Sequence, residues 1–75
     1  MKERSLVEEA LAEASPYLED IEWVKRKVYE AWGTFQDPVR LLEAFRELIA
    51  SERSPTRKTD LKIFLQYLER KLKEK

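Results

Sequence analysis

Pro16-Tyr-Leu-Glu-Asp-Ile-Glu-Trp-Val-Lys-Arg-Lys-Val-Tyr-Glu-Ala-Trp32 is the stretch whose periodicity decides the fold class. At about 100° per residue, Tyr17, Leu18, Ile21, Val24, Val28, Ala31 and Trp32 fall on one side. That is the i, i+3, i+4, i+7 stripe of a helix packing on one face. Ser15 is placed to cap free backbone N–H groups, and Pro16 at the first helical position loses no hydrogen bond there. Gly33, the only glycine, follows Trp32, where a left-handed residue would end the helix. Acids precede bases, Glu19, Asp20 and Glu22 before Lys25, Arg26 and Lys27, in agreement with the helix dipole. The spacing predicts a helix over 16–32 that the other segments cover.

Working towards the N-terminus, residues 5–14 predict a first, short helix. Ser5 and Glu8 have the spacing of a capping box. Leu6, Val7, Ala10, Leu11 and Ala14 share a face. Proline disfavours helical backbone at the residue before it, so a break is expected at Ser15-Pro16. The alternative is one helix over 5–32, kinked at the proline.

Working towards the C-terminus, 33–37 is a short connection from which Phe35 drops onto the core. Asp37-Pro38 repeats the cap-then-proline device and opens a helix over 38–51, with Leu41, Leu42, Phe45, Leu48 and Ile49 as its buried stripe. Glu52 to Lys58 reads as a loop. The last helix is expected over 59–73, capped by Thr59 in preference to Ser54, with Asp60 in its first turn. Leu61, Phe64, Leu65, Leu68 and Leu72 form its stripe. The basic end, Glu69 to Lys75, is expected to fray. No segment alternates with period two for long enough to be a strand. The fold class is therefore all-α: a compact small helical bundle of three long helical segments plus a short N-terminal helix, in one 75-residue domain.

A chain this short buries only roughly 60% of its unfolded surface, so its core must be efficient. Hydrophobic content of 43%, with eight aromatics, is enough to build one. There is no cysteine and no histidine, which excludes a disulfide framework, the usual zinc sites, thiol nucleophiles and the commonest general base. One glycine cannot build a glycine-rich phosphate loop. Carboxylate pairs such as Glu8-Glu9 and Glu43 with Glu47 read as solvated surface charge. No catalytic activity and no cofactor or metal are expected, and no small-molecule substrate is evident. No apolar run approaches 18 residues, and the first residues lack a signal peptide's apolar stretch, which points to a cytoplasmic protein without membrane contact. Charged residues make up 40%, asparagine is absent, and glutamine and methionine are scarce, a thermophile-like composition.

Charge is balanced overall but not locally. Residues 1–22 carry seven acids and two bases, net −5; residues 53–75 carry eight bases and three acids, net +5. The bland explanation sets the acidic first helices against the basic last one. The sharper ones are self-association through complementary ends, or contact with nucleic acid.

Trp23 points almost directly away from its helix's stripe, and Tyr29 sits on the stripe's border. Ile63 lies nearly opposite the last helix's stripe, with Tyr67 beside it. Aromatics on polar faces are the usual ingredients of interface hot spots. These four residues mark the expected protein interface, with a second copy as the favoured partner. Trp23 is either covered by the first helix or reserved for that partner. The alternative function is nucleic-acid binding by a helix-turn-helix-like segment over 38–73, with Arg53, Arg57, Lys58 and Lys62 as contacts. Against it stand the chain's neutrality and a loop longer than the usual turn.

Overall fold

The computed structural model describes the backbone of residues 2–73 and the side chains of residues 6–34 and 36–73. Four α-helices follow one another: α1 (Lys2–Ala14), α2 (Ile21–Phe35), α3 (Pro38–Ser51) and α4 (Pro55–Lys73). A single 3-10 turn, Ser15–Tyr17, lies between α1 and α2. There is no strand among the described residues. The Cα radius of gyration of 11.1 Å matches the roughly 11 Å of a compact chain of this length. The all-α bundle is as expected, but α1 is nearly as long as α2 and α3.

The helix that the others cover is α4, not α2. α1 and α3 both pack extensively on α4, and α2 lies mainly on α3. The pairing order sets the directions. Asp60, Tyr67 and Lys71 meet Glu19 and Asp20, Tyr17, then Glu13 and Glu9 respectively. Numbers rise on one side as they fall on the other, so α1 and α4 are antiparallel. The core joins Val7, Ala10, Leu11 and Ala14 of α1 to Val24 and Val28 of α2, Leu41 and Phe45 of α3, and Leu61, Phe64, Leu65 and Leu68 of α4. Phe45 and Phe64 meet at its centre, with ring centroids 5.0 Å apart and planes tilted by 51°. At that separation and tilt, an aromatic pair contributes roughly 0.5–1.5 kcal/mol beyond the area it buries.

Several boundaries differ from expectation. α1 starts at Lys2, so Ser5 lies inside the helix and not at its cap. Pro16 opens only the 3-10 turn. Leu18 is then extended at φ −88°, ψ 138°, and the chain restarts as a helix behind Asp20, whose carboxylate accepts the Trp23 N–H at 3.2 Å. The break is therefore complete, and a single kinked helix over 5–32 does not form. Gly33 does not end α2. The helix passes through it to Phe35, and the left-handed residue is Gln36, at φ 51°. The expected core position of the Phe35 side chain lies outside the described residues. α3 spans the expected residues, and Asp37 accepts the Val39 N–H at 2.9 Å.

The last helix begins at Pro55, four residues before the expected Thr59. Ser54 is its cap, accepting the Lys58 N–H on its carbonyl at 2.9 Å and the Arg57 N–H on Oγ at 3.4 Å. The expected Glu52–Lys58 loop shrinks to Glu52–Ser54. The helix continues through Lys73, and residues 74 and 75 of the expected frayed end lie outside the described residues.

Candidate functional site

Three aromatic residues of the expected interface are not alike once folded. Trp23 is half-buried and packs against the core. Its ring is also covered from within the chain by two cations. The Arg57 guanidinium at the start of α4 lies 4.8 Å from the ring, with Lys27 at 5.9 Å. Tyr29 is 40% exposed on the flank of α2. Tyr67 is half-buried against the core and stacked on Tyr17, with centroids 6.1 Å apart and planes within 13°. Ile63, one turn earlier on α4, is also half-buried against the core.

Tyr17 was expected in the buried stripe of α2 and is instead 62% exposed. It lies before the break, so the helical periodicity that placed it does not reach it. Arg70 holds its guanidinium 5.4 Å from the Tyr67 ring. Tyr17, Tyr67 and Arg70 thus form a continuous surface array over α4. No sequence signal joins Tyr17 to this array, because the contact spans fifty residues and depends on how α1 docks.

That docking has two polar supports. The Asp60 carboxylate, buried at 1% exposure, accepts the Glu19 N–H at 3.1 Å and the Asp20 N–H at 2.8 Å. It ties the segment that follows the 3-10 turn to the first turns of α4. Lys71 meets Glu13 and Glu9 of α1, the latter at 3.5 Å. The hydrogen bond to Glu13, with the charges of both carboxylates, holds its ammonium pKa above the ordinary 10.5. The acidic N-terminal part does lie against the basic last helix, as the bland explanation of the charge asymmetry expects. Arg46 and Glu69 add a 2.8 Å pair between α3 and α4.

The basic residues of the alternative do not share one face. Arg57 and Lys62 are five apart, about 140° around α4, and Arg57 is engaged with Trp23. Lys58 is half-buried, while Arg53 and Lys62 are exposed. The α3–α4 turn has three residues, a helix-turn-helix length. The two helices also pack on each other beyond the turn, with Arg46 and Glu69 paired across them.

A separate groove of about 480 Å³ runs between α2 and α3, floored by Ala31, Ala44 and Leu48 and edged by Lys27, Glu30 and Glu47. None of the expected protein-interface or nucleic-acid contact residues lines it. No helix among the described residues is long and apolar enough to cross a membrane.

No curated protein and no solved structure matches this chain. One family model does, described as the MJ1579 family, and it takes in residues 4–73, from within α1 to the end of α4. The chain belongs to the MJ1579 family.

Proposed function

We propose that this chain is a small non-enzymatic protein–protein interaction module that works by self-association. One observation carries the reading: Tyr17, stacked on Tyr67 beside Arg70, stays largely exposed outside the core. Single exposed apolar side chains are ordinary. A contiguous Tyr–Tyr–Arg array is less so, because tyrosine and arginine are the residues that dominate interface energetics. Tyr29 and Ile21 expose further apolar surface on α2. The test is solution mass by light scattering across concentration and salt. A mass rising above 9.0 kDa with concentration supports the module. A monomer under all conditions, at concentrations up to a millimolar, ends the self-association reading.

The three-residue turn before α4 favours a second reading, nucleic-acid binding through Arg53, Lys58 and Lys62. It requires affinity that falls steeply with salt, since phosphate contacts release counterions. Titration of single- and double-stranded probes at low salt tests it, and absence of binding there removes it.

A further inference from the structure

Resting on the self-association reading, we propose that the partner is a second copy docked two-fold on the outer face of α1 and α4. In that dimer, the acidic face of each α1 lies on the basic face of the other chain's α4. On α4, Lys62, Gln66, Arg70 and Lys73 recur every three or four residues and are all exposed. On α1, Glu8, Glu9, Ala12 and Glu13 are all exposed. The two helices lie side by side and antiparallel, so one chain offers an acidic and a basic stripe on adjacent helices.

Geometry selects the orientation. With the two-fold axis across the helices, α1 would sit on α1 and place acid on acid. With the axis along the groove between α1 and α4, each α1 sits on the other chain's α4 at unchanged height. That height is already matched within one chain, because Lys71 contacts Glu9 and Glu13. Residues 8–13 are therefore level with Arg70 and Lys73, and acid meets base across the dimer. The Tyr17–Tyr67 stack joins the segment after α1 to α4, so it lies near the axis and meets its own copy. An isologous contact of this kind closes on itself and does not propagate into a filament.

Size sets the strength. Two helices about 10 Å wide and 20 Å long present roughly 400 Å² in plan, against about 800 Å² per partner in a standard interface. The dimer is consequently weak and held largely by charge, which exposed salt screens.

The experiment uses the full chain and two charge-reversed variants, with circular dichroism as the check on folding. Arg70→Glu with Lys73→Glu makes the α4 face acidic. Glu8→Lys, Glu9→Lys and Ala12→Lys make the α1 face basic, giving up the 3.5 Å Glu9–Lys71 contact but leaving Glu13 on Lys71. Wild type should dimerise at 25 mM salt and weaken at least tenfold by 500 mM. Each folded variant alone should lose at least tenfold in affinity, since both of its contacts become like on like. An equimolar mixture should recover a mixed dimer, because acid again meets base at both contacts. A wild-type monomer at low salt would overturn this interface and the self-association reading together. A wild-type dimer that both variants retain, or a mixture that recovers nothing, overturns this interface alone.

Discussion

Asp60 shows how one side chain can move a helix boundary. Its carboxylate takes two backbone N–H groups some forty residues away, and it does so with almost no exposure. Hydrogen bonds to a charged acceptor contribute about 1.5–3 kcal/mol each. Asp60→Ala should therefore lower unfolding free energy by about 3 kcal/mol in urea titration, and Asp60→Asn, which keeps one acceptor oxygen, by about half that. Equal stability of Asp60→Ala and wild type would mean water replaces both bonds. Gly33 and Gln36 make the converse case. Gly33 is helical, its φ is negative, and a Cβ there would meet nothing within 4 Å. Gly33→Ala should add about 0.5–1 kcal/mol by removing the glycine penalty in a helix. Gln36 carries the left-handed conformation that glycine adopts without strain. Gln36→Gly should be neutral or stabilising by up to about 1 kcal/mol, whereas Gln36→Val should destabilise. Thermal unfolding of the three variants separates these signs.

Among elements, what was legible depended on whether the deciding force was local. The stripes Leu41–Phe45 and Leu61–Phe64–Leu65–Leu68 are buried as their spacing demanded, because helical periodicity needs no knowledge of partners. The chain uses cap-then-proline three times, at Ser15-Pro16, Asp37-Pro38 and Ser54-Pro55. The second and third open long helices. The first does not, because Asp60 claims the N–H groups of residues 19 and 20 and holds the backbone there off the helix. That claim is tertiary and leaves no mark near residue 16. The Tyr17–Tyr67–Arg70 array is illegible for the same reason, whereas Tyr67 stands out in the sequence only because it falls off its own stripe. The α1–α4 seam carries a testable pH dependence. Lys71 has its pKa raised by Glu13 and Glu9 in the folded chain. The pairing therefore stabilises fully below the unfolded value near 10.5 and is lost as pH climbs through the higher folded value. Lys71→Met should be less stable than wild type at pH 8, and the gap should narrow by pH 12. A gap unchanged across that range would place the effect in packing of the lysine stem and not in its charge.

For the whole molecule, the proposed self-association and the fold draw on the same few aromatics. A 75-residue chain has only a few kcal/mol to spare, so each half-buried ring counts towards stability. Trp23 packs on the core beneath Arg57, and a fully buried Trp→Ala change costs about 3–5 kcal/mol. Half-buried, it should cost about 2 kcal/mol of folding stability, with Arg57→Ala giving up under about 1 kcal/mol of it through the lost cation–π contact. Tyr17 is placed differently. It touches the fold chiefly through Tyr67, so Tyr17→Ala should cost less than about 1 kcal/mol of folding. If the array is part of the self-association surface, the same variant should raise the dimer dissociation constant several-fold, less than the charge reversals do. Measuring urea unfolding and low-salt solution mass on both variants places each ring on its own axis. Trp23→Ala should move unfolding and Tyr17→Ala association. A Tyr17→Ala variant that dimerises like wild type would leave the array as a lid on Tyr67 and shift the interface to Tyr29 and Ile21 on α2, where Tyr29→Ala becomes the variant that must weaken the dimer.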